Sequence, residues 1–438
     1  MRFARALAAA AIALAVMARG SIAAAQPPTL TLAQAQHMAL QEHPQIKVAQ
    51  FDVAAAQEGI NIARAAYAPQ VYGSAVSTLA KPDTRVGAYV NGITDPTVLQ
   101  RTAAGLLVSQ YITDFGRTAA VVRTYQLGAK SQAERSAATR LTVLLNVTQA
   151  YFEVLRAEAL LRVALETVRE RDTLLRQISA LQHAGLRSTL DVSIAQRDLA
   201  SARQILVEAR ARRRDTMASL SEAMGSPVDT DYTLVEPHAL PAIPSSVGPL
   251  IDEMLADNPA LQAERTTAAQ AASNATAVAK QTSPVVEGYG YFGGTPIRAM
   301  NQQINSAYAT AGISLVVPIA NGGELKAEAR QAQDQALSAS AAVVDEQNQL
   351  LSQTRVAYED VVAARSNIDA TRQIVVTARQ TLALTEARYR IGLNSIVDLS
   401  QAQLLETQGE IDYQNAIYDY IEQGAGLEFV IGALAPAA

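Results

Sequence analysis

The sequence predicts a mainly α protein with a small β part, built from one unit written twice. Three observations lead there. Of 438 residues 49% are hydrophobic, largely Ala, while 5% are aromatic and Trp is absent, a composition that favours long packed helices over a conventional globular core. Landmark residues recur at a fixed offset. Two stretches of 69 residues, 114–182 and 321–389, run without proline, and each spans about 100 Å if helical at 1.5 Å per residue.

The first element expected is a leader. Arg2 and Arg5 precede an apolar run over 6–18, and small residues at Ala23 and Ala25 follow, so the spacing predicts a secretory signal over 1–25 cleaved after Ala25. The run is 13 residues, where a membrane-spanning helix needs about 20. Removing the leader takes away Arg2, Arg5 and Arg19 and no acid, leaving 33 basic against 41 acidic residues. A net charge of −8 gives no electrostatic support for nucleic-acid binding. The absence of Cys excludes disulfides, thiolate metal sites, thiol nucleophiles and a lipid-modified N-terminal Cys. No later apolar run is long enough for a membrane helix, so the mature chain is either soluble or crosses a membrane as β-strands.

The duplication sets the domain plan. His43-Pro44 returns as Asn258-Pro259 and Ala68-Pro69 as Ser283-Pro284, both 215 residues later. Further on, Asp114-Phe115-Gly116-Arg117 returns as Asn321-Gly322-Gly323-Glu324 at an offset of 207, as do the turns that begin at Gly185 and Gly392. The first copy is therefore 8 residues longer between positions 69 and 114, where an exposed loop is expected. This predicts a first repeat over 26–225, a Pro-rich connector over 226–249 and a second repeat over 250–438.

Within each repeat the order is helix, two strands, long helix, tight turn, helix. The first repeat places a helix over 44–68, a hairpin over 70–112 with strands 70–80 and 102–112, the long helix over 114–182 and a last helix over 188–224. The second has a helix, a hairpin over 285–319 with strands 285–293 and 308–317, the long helix over 321–389 and a last helix over 395–431. Both long helices carry a seam stepping alternately by 4 and 3, from Leu350 through Ala357, Ala364 and Ala378 to Tyr389, and 207 residues earlier from Val143 through Ala157 and Ala164 to Gln182. A strict 3.5-residue repeat is the signal for left-handed supercoiling. The helices 44–68 and 188–224 together nearly match the long helix in length, so they are expected to stack end to end beside it. Strands of nine to eleven residues suit a tilted membrane crossing, although their alternation is imperfect.

Two motif matches fail on context. Gly288, Gly290 and Gly293 have dinucleotide-binding spacing but lie inside a predicted strand with no helix after them. Asp114-Phe115-Gly116 resembles a kinase metal-binding triplet, yet the other kinase elements are missing. His37, His43, His183 and His238 have no partners at metal-ligand spacing, and no nucleophile, base and orienting group assemble, so neither a cofactor, a metal nor an enzyme activity is predicted.

The duplication, Pro69 and Pro284 at the helix-to-strand junctions, Val316-Val317-Pro318-Ile319 leading into Asn321-Gly322-Gly323, and Tyr389-Arg390-Ile391-Gly392-Leu393 followed by Asp398-Leu399 together resemble the TolC-like outer membrane efflux protein family, the outer membrane factors. The resemblance covers essentially the whole mature chain. It implies a homotrimer in which four strands per chain complete one 12-stranded transmembrane β-barrel and the helices form an α-barrel through the periplasm of a Gram-negative bacterium. Strand counting alone requires only that chains share a barrel, since the smallest membrane barrels need about eight strands; two or three chains satisfy it. The implied partners are outer membrane lipid, a periplasmic adaptor and an inner-membrane transporter.

The implied function is a passive exit duct for small molecules. Its alternatives are a duct for protein secretion by an ATP-binding-cassette (type I) system and a periplasmic coiled-coil scaffold without a pore. The resemblance also implies a gate at the helix turns, with Asp398 as a ring carboxylate and Tyr389 and Asp191 in a closing link. The turn residues Gly185, Leu186, Ser188, Gly392, Leu393 and Ser395 are the implied adaptor contacts. Two departures stand out: Gln401 occupies the place of a second ring acid, and Asn394 that of a basic residue in the second turn. The alternative role for Asp191 and Asp398 is charge at a helix N-terminus, and for Tyr389 a seam position.

Overall fold

The computed structural model describes residues 28–79, 88–90, 93–95, 100–227, 230–236, 240, 242, 244–299 and 302–437. The predicted leader over 1–25 lies outside the described residues.

In chain order the elements are β1 Thr29–Leu30, α1 Leu32–Glu42, α2 Pro44–Arg64, β2 Gln70–Leu79, β3 Ala88–Val90, β4 Ile93–Asp95, β5 Gln100–Thr113, α3 Arg117–His183 and α4 Thr189–Ala223. The second half continues with β6 Thr233–Leu234, α5 Val247–Asp257, α6 Pro259–Ala279, β7 Val285–Ala299, β8 Gln302–Val316, α7 Glu324–Arg390 and α8 Ile396–Ile431.

The long helices α3 and α7 are each 67 residues and start three residues later than the sequence predicts. The cause is local. Phe115 and Gly116 both take positive φ (53° and 87°), and the Asp114 carboxylate accepts from the Gly116 and Thr118 amides at 3.1 and 2.6 Å, so the chain turns before the helix begins. Gly322 and Gly323 do the same for α7 at φ 67° and 91°. Upstream, the predicted helix 44–68 ends at Arg64 and closes with a 3-10 turn over Ala65–Tyr67. The helix α5 begins inside the stretch predicted as connector, because Pro249 falls in its first turn, where a missing N–H is harmless. The short helix α1, capped by a Thr31–Gln34 capping box, was not predicted.

Along α3 and α7 the predicted seam positions are buried or half-buried, including Arg171, which stands where the seam calls for an apolar residue. Beside them, α4 ends where α2 begins. A Cβ on Gly225 would lie 2.7 Å from the His43 Cα at the start of α2, and one on Gly432 would lie 2.9 Å from the Asn258 Cα at the start of α6. Both glycines have left-handed φ (73° and 83°), so only glycine fits these junctions, and the shorter helices stack end to end as two rods.

The helices form one layer at each level. In the half near the sheet the order is α2, α3, α6, α7; in the far half it is α4, α3, α8, α7. Between the halves, the parallel pair β1–β6 lies against α3, held by the Tyr151 hydroxyl, which lies 2.9 and 2.8 Å from the Leu30 and Val235 carbonyl oxygens, its two possible acceptors, and accepts from the Val235 amide at 3.0 Å. The main apolar core, with Tyr151, Leu220, Met254, Leu261 and Ile368, centres on this level.

The four-stranded sheet runs β2-β5-β7-β8, antiparallel throughout. Strands β7 and β8 are 15 residues each, longer than predicted. Pro296 does not end β7: it pairs with Asn305 of β8, and its other side falls where the ladder to β5 skips from Gly294 to Ile297. The register sorts the residues by face. One face carries Val71, Leu106, Val108, Phe292, Ile313 and Leu315 with Gly and Ala between them, and Ser77 and Gln110 interrupt it. The other carries Gln70, Tyr72, Ser109, Glu287, Tyr289, Tyr291 and Thr310, with Leu107 among them. The motif glycines Gly288, Gly290 and Gly293 all lie in β7.

Candidate functional site

The two helix turns farthest from the sheet are built alike. At the end of α3, Gly185 takes φ 75°, and the Leu186 amide bonds back to the Leu181 carbonyl at 2.8 Å; at the end of α7, Gly392 takes φ 81°, and Leu393 bonds back to Arg388 at 2.9 Å. Each following helix opens on a serine cap. Ser188 accepts from the Asp191 amide at 3.1 Å while its own amide donates to the Asp191 carboxylate at 3.1 Å. Ser395 and Asp398 repeat the capping box at 3.2 and 2.9 Å, and the Ser395 hydroxyl also donates to the Asp398 carboxylate at 2.8 Å. Backbone and hydroxyl donors of Ser395 hold the exposed Asp398 carboxyl below the usual range. Within one chain, both acids thus serve as helix-start acids.

One difference separates the turns. Arg187 in the first corresponds to Asn394 in the second. The Arg187 guanidinium lies over the Tyr389 ring, 4.2 Å from its centroid, and donates to the Tyr389 carbonyl. It therefore ties the first turn to the last turn of α7, where free carbonyls favour a cation. A basic residue missing from the second turn is thus present in the first. The contact joins residues 202 apart, and only aligning the two copies could have pointed to it in the sequence.

Tyr389 is buried on the seam against Ile178, Ala195, Ile396 and Leu399. Burial pushes its hydroxyl pKa up, Arg187 opposes this, and Asp191 adds to it. Asp191 is thus within electrostatic reach, but its carboxylate is taken up by Ser188, and the Tyr389 hydroxyl has no hydrogen-bond partner among the described residues. Gly185, Leu186, Ser188, Gly392, Leu393 and Ser395 are all exposed. Leu190, Ile391 and Val397, which sequence reasoning left out, are exposed beside them and enlarge the apolar tip.

Among the described residues no cluster of His, Asp or Glu is arranged to hold a metal ion, and no helix is long and apolar enough to cross a membrane. The sheet, by contrast, has one mainly apolar and one mixed face, and its outer strands, β2 and β8, pair with no further strand of the sheet among the described residues.

The sequence profile of the outer membrane efflux proteins matches residues 35–226 and 250–433. The chain belongs to the outer membrane efflux protein family. It is 24% identical over 425 residues to the outer membrane protein TolC of Salmonella enteritidis, covering 92% of this chain and 83% of that protein. To TolC of Vibrio cholerae it is 26% identical over 421 residues, covering 92% and 91%. A crystal structure of a membrane protein from Pseudomonas aeruginosa superposes with a TM-score of 0.79 at 19% identity, over 91% of this chain and 93% of that one. The likeness gives the same fold: long paired helices below a small antiparallel sheet.

Proposed function

We propose that three copies of this chain form a passive exit duct in the outer membrane of a Gram-negative bacterium, carrying small molecules delivered by an inner-membrane transporter through a periplasmic adaptor. The observation that carries this reading is the pair of open edges. The sheet has a mainly apolar face suited to lipid and two outer strands, β2 and β8, whose far edges meet no other strand of the sheet among the described residues, an arrangement that membrane strands avoid by closing into a barrel. An even number of antiparallel strands lets β8 of one copy meet β2 of the next antiparallel, so closure is consistent all round. The helix layer supports the same arrangement. Its flanks, α2 and α4 on one side and α7 on the other, expose Val48, Phe51, Ile62 and Val207 against Leu337, Val344, Val356 and Ile374.

At the tips, the reading takes three Asp398 carboxylates around the axis as a cation-selective ring, with Tyr389 and Asp191 as members of a closing link between neighbouring turns. The exposed turns around Leu186 and Leu393 are then free for the adaptor.

Planar-bilayer recording of the purified mature protein tests the duct. Cation-preferring channels are expected, with Asp398→Asn weakening the preference and Tyr389→Phe raising open probability at unchanged selectivity. No conductance would favour the scaffold alternative. Deleting the gene tests the cargo: retention of small hydrophobic compounds with an unchanged set of secreted proteins is expected, whereas loss of a secreted protein would assign the duct to protein secretion.

A further inference from the structure

The mixed face of the sheet gathers tyrosines and a single acid at the end nearest the helices. The register sets them in rows. Tyr111 of β5 stands opposite Glu287 of β7, which stands opposite Ser314 of β8; the next row is Ser109, Tyr289 and Gly312, and the one after is Tyr72 of β2, Leu107, Tyr291 and Thr310. Directly opposed side chains start about 5 Å apart, and those two residues apart on one strand about 7 Å, so Glu287 has Tyr111 at its side and Tyr289 as its next neighbour along the strand.

The rings are presented to the open side. Tyr289 leans across Gly312, where a Cβ would lie 2.6 Å from its hydroxyl oxygen, so β8 makes room for the ring by carrying no side chain there. Tyr289 and Tyr291 meet edge to face, their centroids 5.4 Å apart and their planes at 61°. Rings at that angle cannot both lie flat on the sheet, so one stands out from the wall and offers its face. Tyr72 and Tyr111 are 50% and 47% exposed. Glu287 is the one acidic residue of the four strands, and it makes no ion pair or hydrogen bond among the described residues. The one basic residue that the register assigns to this face, Arg101, stands opposite Ile297, ten residues along β7 from Glu287, or about 34 Å. Aromatic faces carry negative potential and the unpaired carboxylate adds to it, so this wall attracts cations and repels anions. A small inorganic cation would use Glu287 alone; a flat aromatic one uses the rings as well.

We propose that this wall is a recognition belt for flat aromatic organic cations, which place their charge at Glu287 and their rings against Tyr111, Tyr289 and Tyr291. Its consequence rests on the duct reading: the mixed face then lines the lumen, and each copy adds Glu287 and its tyrosines to a ring where the helix tube opens into the barrel. The belt gives the cargo a chemical class. It also differs in kind from the Asp398 ring proposed at the tips, which selects by charge without an aromatic face.

The probe is N-methylacridinium, a flat, permanently charged aromatic cation whose fluorescence is quenched when it stacks on an electron-rich ring. Tetrabutylammonium is the aliphatic cation control and acridine-9-carboxylate the flat anionic one. Block of single-channel current is recorded on the intact mature protein in planar bilayers, and quenching is measured on the same preparation in detergent. N-methylacridinium should block at concentrations about tenfold or more below those of tetrabutylammonium, and the anion should not block. Changing Tyr289→Leu and Tyr291→Leu together should raise the half-blocking concentration about tenfold, Tyr289→Phe with Tyr291→Phe should leave it near the wild-type value, and Glu287→Gln should raise it about fivefold. Asp398→Asn should leave the preference for the aromatic cation intact. Equal block by the two cations, wild-type block in the double Leu variant, or a preference lost in Asp398→Asn would each overturn the belt. A conducting channel with neither block nor quenching counts against the belt alone, whereas saturable quenching that the double Leu variant loses, in a protein that does not conduct, upholds the belt and counts against the duct.

Discussion

The helices α3 and α7 are the same length and descend from the same repeat, yet α3 buries 17 residues within the chain and α7 only 10. Their neighbours explain the gap. α3 lies inside the layer, with α2 and α4 on one flank and α6 and α8 on the other, while α7 is the outermost helix at both levels. Its outward side exposes Leu337, Val344, Val356, Ile374 and Leu384, whereas Tyr125 is the one large apolar residue exposed on α3 among the described residues. Duplication reproduces the rods; position in the layer decides which faces are finished within the chain and which await another copy.

Paired substitutions at repeat-equivalent positions can break or sharpen this contrast. The largest effect is expected at Tyr151, fully buried and hydrogen-bonded to the β1–β6 pair, where Tyr151→Ala should cost about 3–5 kcal/mol in denaturant unfolding. Tyr358, 207 residues later and half-buried, should cost less than half as much when changed to Ala. Equal losses would erase the distinction between inner and outer helix. Next, Ala157→Leu should overpack the seam by about 1–3 kcal/mol, because Ala157 is 1% exposed, while Ala364→Leu at the half-buried equivalent position should cost less.

A subtler difference is electrostatic. Where α3 meets α8, Arg156 lies between Glu153 (3.6 Å), Asp419 (2.8 Å) and Glu422 (2.9 Å), with Arg212 of α4 3.4 Å from Glu153. Burial pushes Glu422 up to about 7, against the pull of Arg156 and with the help of Glu153 and Asp419. A raised carboxyl keeps its proton in the folded protein after the unfolded chain has lost it. Its contribution is therefore full at low pH and is lost as pH rises from the ordinary glutamate range to about 7. Glu422→Gln should flatten the fall of melting temperature across that window; an unaltered slope would return Glu422 to the ordinary range. The α7 counterpart of Arg156 is Ala363, so no equivalent cluster exists there. The smallest effect on stability is expected from Arg187→Asn, which gives the first turn the residue of the second and removes a contact worth about 0.5–2 kcal/mol. Single-channel recordings should then show higher open probability, with the melting temperature little changed.

What was legible in the sequence was what is encoded locally. Gly185 and Gly392 with their serine caps announce the turns, and the 3.5-residue spacing announces the seams. The helix starts were misplaced because Asp114 looks like a first helical residue while Phe115 and Gly116 take left-handed conformations that composition does not reveal. The amphipathic sheet was obscured because Gly and Ala fill much of its apolar face, and only the register shows which residues share a side. Arg187 over Tyr389 joins residues from different repeats, so no window along the chain contains the pair.

The central claim is that the edges β2, β8 and α7 are completed by other copies. Its most direct test is the mass of the mature protein extracted in mild detergent, by light scattering corrected for bound detergent. The account predicts a single species of three chains; a monodisperse monomer would contradict it.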